Sequence, residues 1–155
     1  EGRRLKALIN TEDIMPTLLG LSDVTIPKTV EGSDFSQLIE GGENPNDGAA
    51  LISCPAPFGQ WARRWGGREF RGIRTVNHTY VEDLRGPWLM FDNEKDPFQL
   101  NNLLTNPGNE KLAEDLSKIL RRKLKETNDE FLPGHSYVEK WGYPLDKTGT
   151  VPYKN

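Results

Sequence analysis

Three short runs of β-branched and aromatic residues, separated by only a few turn residues, constrain this fold more than any other feature. They span residues 69–75, 79–83 and 88–92. Such residues favour the pleated surface of a strand, and the short separations suit consecutive hairpins. A small apolar run at 49–53 is also bounded by turn residues. The chain is therefore predicted to form an antiparallel meander of three or four strands.

An amphipathic helix is predicted after the strands and would supply an apolar surface to pack on them. One apolar stripe runs through residues 109–128, and it consists of Leu112, Leu116, Ile119, Leu120 and Leu124. Apolar residues three and four positions apart lie on one face of a helix. We therefore expect an α+β fold in which one long C-terminal helix covers one face of a small antiparallel sheet.

Two short helices are predicted before the sheet. Residues 14–21 carry apolar side chains at helical spacing after Asp13, a candidate N-cap. A second helix, capped by Ser33 or Asp34, would hold residues 35–39 and end at a glycine pair. The first helix has no sheet partner nearby in sequence, so it would leave an apolar stripe exposed, which suggests a missing body.

Charge and hydropathy exclude two classes of partner. The chain has 20 Lys and Arg residues against 23 Asp and Glu, a net charge of −3, which excludes a strongly basic nucleic-acid binder. Its longest apolar stretch, around residues 15–21, is interrupted by proline and glycine and falls far short of the roughly 18 residues of a membrane span. We therefore predict no nucleic acid and no membrane as partners.

The residue types that usually carry catalysis do not form a catalytic pattern here. Cys54 has no histidine nearby in sequence, which favours a small buried side chain over a reactive thiol. His78 and His135 fall in predicted loops, without the spacing of a transition-metal site. The acids at 92, 94 and 96 fit a capped turn better than a calcium loop. We predict no catalytic residue and no metal ligand in this chain.

A cluster of arginines and tryptophans in a glycine-rich stretch is the strongest candidate for binding. It consists of Trp61, Arg63, Arg64, Trp65, Arg68 and Arg71. Guanidinium groups offer paired donors to sulfate, phosphate or carboxylate, and an indole offers a face to a sugar ring. The other interpretation is that these residues anchor the loop to a neighbouring surface. We take Trp61, Arg63 and Arg64 as the candidate substrate-binding residues.

Three separated stretches carry motifs. Residues 10–21 contain D-x-x-P-T-L-L and are followed by E-G-S-D-F at 31–35. Residues 70–75 read F-R-G-I-R-T, and residues 89–103 read L-M-F-D-N-E-K-D-P-F-Q-L-N-N-L. In order and spacing, these motifs resemble the C-terminal region of a type I sulfatase, of the arylsulfatase family in the alkaline-phosphatase-like superfamily. One departure is Gln99, which stands where the family more often has glutamate.

The resemblance places the catalytic chemistry outside these residues. In such enzymes a Cys or Ser in a C-x-P-x-R or S-x-P-x-R motif becomes formylglycine, whose hydrate attacks sulfur beside a calcium ion. Cys54 does not match, because the proline stands at the wrong offset and no arginine follows. The resemblance therefore implies calcium and formylglycine for the complete enzyme and no cofactor in this chain, whose isolated form we expect to be inactive.

The resemblance also implies an organisation and two partners. Residues 1–48 would be the end of a missing large α/β domain, to whose edge the short helices belong, with a connecting segment. Residues 49–128 would form the C-terminal subdomain, and residues 129–155 an irregular tail. This part of a sulfatase would pack on the upstream catalytic domain and lend loops to a cleft for a sulfated small molecule or glycan. A periplasmic or secreted location is favoured, because many bacterial relatives are exported.

Two alternatives stay open at this point. Superfamily relatives act on phosphodiesters or phosphonates, and the C-terminal region alone does not separate sulfur from phosphorus chemistry. A module without enzymatic activity could instead bind sulfated glycans through the arginine and tryptophan cluster. The presence or absence of the formylglycine motif in the preceding coding sequence would discriminate among the three hypotheses.

Overall fold

The computed structural model describes residues 4–57, 59–147 and 151–152, and its centre is a four-stranded antiparallel sheet. The strands follow one another in space as in sequence: β1 (Ala49–Cys54), β2 (Phe70–Thr75), β3 (His78–Asp83) and β4 (Gly86–Asp92). This confirms the predicted meander, and the apolar run at 49–53 is its first strand. The β2–β3 and β3–β4 connections are each two residues long, tighter than the sequence suggested, because His78, Gly86 and Pro87 pair within the strands.

One long helix covers a face of this sheet. The helix, named α3 here, spans Glu110–Glu126, and its Leu116 and Leu120 are buried against Ile73, Tyr80 and Met90. These residues come from three neighbouring strands and one helix, so they form the shared core of the domain. The predicted α+β packing is confirmed.

The segment before the sheet contains two short helices, α1 (Ile14–Leu21) and α2 (Ser36–Glu40). Asp13 precedes α1, but its carboxylate does not cap that helix. It accepts instead the backbone N–H groups of Asn10 and Ser33, both at 2.7 Å. Because that second bond spans 20 residues, Asp13 fixes the loop before α2 against the start of α1.

The second helix begins one residue later than predicted. Phe35 occupies its N-cap position, so the expectation that Phe35 lies within the helix is wrong. The reason is that the Asp34 carboxylate accepts the N–H of Ser36 at 2.8 Å and turns the chain before the helix starts. The predicted end is confirmed, since Gly41 has the left-handed φ of 104° that glycine adopts without strain.

The apolar face of α1 is exposed. The side chains of Ile14, Met15, Leu18 and Leu21 all lie in contact with solvent, although the opposite face packs on α2. This confirms the expected exposed stripe. Among the described residues, no helix combines the length and apolar character that crossing a bilayer would need.

The turn after β4 is held by acidic side chains, as predicted. Asp92 accepts the N–H groups of Glu94 and Lys95 at 3.0 and 2.9 Å, and Asp96 accepts that of Asn101 at 2.7 Å. Asn102 then bridges back to β4 through two hydrogen bonds. The carboxylates of this motif therefore shape the connection between the sheet and α3.

The chain after residue 128 is more ordered than predicted. Gly134–Lys140 form a fourth helix, α4, so the expectation of an irregular tail is wrong for these residues, and His135 lies in a helix rather than in a loop. The segment packs on this chain's own sheet, where Arg71 of β2 binds Asp129. Arg71, a buried residue of β2, thus binds a segment that is distant in sequence and was predicted to be irregular.

Candidate functional site

Residues 59–68, named the arginine loop here, form two consecutive 3-10 turns before β2. The turns span Gly59–Trp61 and Arg63–Trp65 and are followed by Gly66, whose φ is +89°. The N–H groups of Trp65 and Gly67 both donate to the carbonyl of Ala62, at 2.8 and 3.2 Å. A side chain at Gly67 would overlap the carbonyl oxygen of Trp61. The glycines therefore allow the compact turns of this glycine-rich stretch.

Trp61 connects the arginine loop to the sheet. Its ring stacks on that of Trp88 in β4, with the ring centroids 6.4 Å apart and the planes inclined by 23°. Phe70 packs against Trp88 at 6.2 Å, and the Arg68 guanidinium lies 4.7 Å from the Trp88 ring centre. Trp61 therefore anchors the loop to β4, and it remains half-exposed.

Arg63 points back to the first residue before β2. Its guanidinium forms an ion pair with Glu69, whose side chain is only 4% exposed, whereas that of Arg63 is 56% exposed. The carboxylate also accepts the backbone N–H of Gly134 at 3.0 Å. Glu69 therefore accepts a hydrogen bond from one nitrogen of the Arg63 guanidinium, and the other guanidinium donors face solvent.

Arg64 is the least constrained of the three candidate residues. It has no carboxylate partner within the described part of the chain, and its guanidinium lies 5.8 Å from the ring centre of Trp65. Trp65 is itself 70% exposed. Arg64 and Trp65 thus offer a charged group and an open aromatic face side by side, and Trp65 belongs with the three predicted residues.

A hollow of about 460 Å³ lies between the arginine loop and the β3–β4 turn. Three arginines and two carboxylates line it: Arg63, Arg68, Arg85, Glu69 and Asp83. Both carboxylates are buried and each binds at least one of these arginines, while the guanidinium groups reach solvent. The accessible rim of the hollow is therefore positively charged and suits an anionic ligand.

Asp83 binds two arginines on the side of this hollow that was not predicted from the sequence. It accepts Arg68 at 2.9 Å and Arg85 at 2.8 Å. Burial alone would raise the pKa of Asp83, but hydrogen bonds from Arg85 and Arg68 outweigh burial and lower it below its usual value. The antiparallel register pairs Asp83 with Phe70, which brings the β3–β4 turn beside the loop before β2. The predicted β2–β3 hairpin contains this signal: pairing its two strands places residue 83, and therefore Arg85 two residues later, beside the arginine loop.

Cys54 lies at the end of β1, opposite Phe70, and is half-buried. Burial, followed by the negative charge of Glu69, raises the pKa of its thiol. A raised pKa keeps a thiol protonated and unreactive near neutral pH. The raised pKa agrees with the interpretation of an unreactive thiol, whereas the side chain is half-buried and not buried as predicted.

The residues that the structure describes do not fit the calcium ion of a complete sulfatase. Among residues 4–57, 59–147 and 151–152, no group of three or more His, Cys, Asp or Glu side chains converges to hold a metal ion. The carboxylates of the hollow are engaged by arginines instead. What this site can do chemically is bind and orient an anion.

Comparison with known proteins places the chain among sulfatases. The family model described as N-sulphoglucosamine sulphohydrolase, C-terminal, matches residues 1–127. The ulvan-active sulfatase of Formosa agariphila is 41% identical over 154 residues, which are 99% of this chain and 30% of that protein. The chain thus spans less than a third of the length of this relative.

Two solved structures share the fold. One is a protein in complex with its substrate D-glucosamine-2-N,6-O-disulfate, with a TM-score of 0.65 and 24% identity over 79% of this chain and 25% of that one. The other is the phosphonate monoester hydrolase of Agrobacterium radiobacter, with a TM-score of 0.61 and 21% identity over 99% of this chain and 30% of that one. Since the family model covers most of the chain, including the whole sheet and α3, the protein belongs to the family of C-terminal domains of sulfatases of the N-sulphoglucosamine sulphohydrolase type.

Proposed function

We propose that the complete protein is a sulfatase that hydrolyses sulfate esters, and that this domain presents the arginine loop to the substrate cleft. The observation that carries the proposal is the match to a C-terminal sulfatase family over residues 1–127, with a sulfatase that is 41% identical over nearly the whole chain. The positively charged hollow beside the arginine loop supports the second part, because a sulfate group is an anion that guanidinium donors bind well.

The proposed organisation follows the boundaries expected from the sequence. Residues 1–48 end the large domain and connect to the C-terminal subdomain at 49–128, and 129–155 form its tail. The exposed face of α1, with Ile14, Leu18 and Leu21, packs on the upstream catalytic part. Burying one such aliphatic side chain stabilises the folded protein by about 1.5–3 kcal/mol, so covering this face of α1 would add substantially to its stability.

Trp61, Arg63 and Arg64 are proposed to contact the substrate, a sulfated small molecule or glycan. Arg64 and the outward donors of Arg63 would bind sulfate oxygens, and the exposed part of Trp61 would pack on a sugar ring. Trp65, beside Arg64, extends this surface. Their role is to bind and position the substrate, and the formylglycine, calcium ion and general acid belong to the rest of the enzyme.

The isolated chain is proposed to be inactive. Its only cysteine has a raised pKa, and no described group of acids, histidines or cysteine can hold a metal. Nothing in the arginine loop supplies a nucleophile to attack sulfur, since arginine stays protonated and acts only as a donor. Turnover of an aryl sulfate by the purified 155-residue chain would therefore overturn this proposal.

The test compares substitutions in the complete protein. Arg63→Ala and Trp61→Ala should raise KM for the sulfated substrate by about tenfold with a smaller effect on kcat, because they remove binding contacts. Both should also lower thermal stability, since Arg63 pairs with the buried Glu69 and Trp61 packs on Trp88. Arg122→Ala is the matched control: Arg122 is 51% exposed and paired with Asp47, but it lies on α3 outside the hollow. Equal loss of stability in all three variants with unchanged KM would contradict the substrate-binding role.

The same assay separates sulfur from phosphorus chemistry. The likeness to the phosphonate monoester hydrolase concerns the fold, which both chemistries use. A complete protein that cleaves phosphonate monoesters faster than sulfate esters would replace the proposed activity. A complete protein that binds sulfated glycans and cleaves neither class of ester would favour the binding module.

A further inference from the structure

Glu69 lies where three segments of the chain meet. It is the residue before β2, and its carboxylate is almost fully buried. One oxygen, Oε1, accepts both the Arg63 guanidinium from the arginine loop and the N–H of Gly134 at 3.0 Å. The bond to Gly134 spans 65 residues, so a single side chain connects the arginine loop to the start of α4.

Residues 129–140, named the C-terminal clamp here, are fixed on β2 by an independent set of bonds. The Arg71 side chain is 1% exposed, and its guanidinium donates to both carboxylate oxygens of Asp129 and to the hydroxyl of Tyr137. The Tyr137 hydroxyl in turn donates to Asp129, and the ring of Phe131 lies 5.0 Å from the guanidinium. The clamp therefore has its own anchor in the sheet.

The clamp also touches the segment that leads into the arginine loop. A Cβ placed on Gly134 would lie 2.6 Å from the carbonyl oxygen of Pro55 and 3.0 Å from the Cβ of Ala56. Gly134 thus sits in close contact with the chain before the loop, while its N–H binds Glu69 after the loop. One position of the clamp therefore approaches the chain a few residues before the arginine loop and binds the residue directly after it.

We infer that Glu69 is a positioning residue through which the C-terminal clamp sets the orientation of the Arg63 guanidinium towards the hollow. Glu69 lines the hollow but is only 4% exposed, and its carboxylate has no hydrogen to donate to an anion, so it acts on a ligand through Arg63. By holding one donor of Arg63, it aims the remaining donors outward and reduces the rotamer freedom that a ligand would otherwise have to restrict. The consequence for substrate rests on the proposed function, whereas the mechanical coupling does not.

The clamp lies beyond the part of the chain that the family model matches. That match ends at residue 127, whereas the arginine loop falls within it. The alignment with the ulvan-active sulfatase extends over 154 residues and so includes the clamp. The clamp therefore lies in a region that the alignment with this relative covers and the family model does not.

The mechanical coupling is tested by hydrogen–deuterium exchange of the complete protein without substrate. Tyr137→Phe removes a hydroxyl that is bonded to Arg71, Asp129 and the N–H of Leu132, and to no residue of the arginine loop. We expect amide exchange to rise at least about fivefold in residues 59–68 as well as in the clamp, because the hydroxyl makes three hydrogen bonds and the net loss of one corresponds to about fivefold. Lys140→Ala, which breaks only the exposed pair with Glu130, is the control and should leave the loop unchanged.

Gly134→Ala provides a second variant with a different physical cause, because its methyl group pushes the clamp away from Pro55. It should also accelerate exchange in residues 59–68. Faster exchange confined to the clamp in both variants would overturn the coupling. This outcome is independent of the reaction that the complete protein catalyses.

The positioning role is tested by a double-substitution cycle with steady-state kinetics on the sulfated substrate. Glu69→Gln keeps the size and loses the charge, and it should raise KM about fivefold with kcat nearly unchanged. In an Arg63→Ala background the same change should add no further increase, because Glu69 acts through Arg63. Additive effects on KM would overturn the inference. Absence of any sulfatase activity in the unsubstituted protein would instead refute the proposed function and leave the exchange result standing.

Discussion

The sheet with its covering helix and the segment around α1 use the same kinds of apolar residue in opposite ways. Leu120 of α3 is 0% exposed, because it packs on Ile73, Tyr80 and Met90. Leu18 of α1 is 60% exposed, although its helix has an apolar stripe of similar spacing. The difference shows that the sheet domain completes its own core, whereas the described residues leave the apolar face of α1 uncovered.

The largest expected effect comes from truncating one leucine in each region. Leu120→Ala should lower the free energy of unfolding of this chain by about 2–5 kcal/mol, because it leaves a cavity in a closed core. Leu18→Ala should change it by less than about 0.5 kcal/mol, as for an exposed position. Urea denaturation followed by circular dichroism measures both. In the complete protein Leu18→Ala should become markedly more costly, and an equally small effect there would argue against α1 as a docking helix.

A smaller effect is expected from acid, and it distinguishes the clamp from the core. Burial alone would raise the pKa of Asp129, but bonds from Arg71, Tyr137 and the N–H of Phe131 lower it overall. A lowered folded pKa contributes stability that is present above the unfolded value of about 3.9 and is lost as pH falls through the folded value. Below about pH 4, the protection factors of amides in residues 129–140, corrected for the intrinsic exchange rate, should therefore fall before those in α3. Asp129→Asn should abolish that pH dependence in the clamp, and simultaneous loss of protection in both regions would contradict it.

The smallest effect concerns the reactivity of Cys54 at the edge of the sheet. Its raised pKa predicts slow alkylation by iodoacetamide at pH 8, several-fold slower than for the unfolded chain in urea. Mass spectrometry of the alkylated fraction over time gives both rates. Glu69→Gln should modestly increase the folded-state rate, because it removes a negative charge that raises this pKa. Equal rates in the folded and unfolded chains would show that the sheet edge does not protect the thiol.

Much of the sheet domain could be predicted because its signals are local. The runs at 69–75, 79–83 and 88–92 alternate with short turns, and the leucine stripe of α3 repeats with helical period. Each pattern determines its own element, and the short connections leave few ways to arrange the strands. The sulfatase resemblance drew on the same regions, and the family match confirms it.

Of the candidate site, the sequence predicted the arginine loop but not the residues of the β3–β4 turn that face it. Trp61, Arg63 and Arg64 are close in sequence and were found as a cluster, and their contact with a substrate remains a prediction. Arg85 and Asp83 were missed, because their proximity to the arginine loop depends on the strand register. The helix α4 was missed as well, since its Tyr137 is bonded to Arg71, which is far away in sequence.

The sequence by itself determined the antiparallel meander, the long covering helix, the exposed stripe of α1 and the family. These follow from periodicity, turn chemistry and motif spacing, which act over a few residues at a time. Only the tertiary structure decided that Glu69 joins Arg63 to Gly134 and that Arg71 fixes the C-terminal clamp. The Glu69–Gly134 and Arg71–Asp129 bonds join segments 65 and 58 residues apart through a buried charged side chain, and only the packing of the whole domain selects such partners.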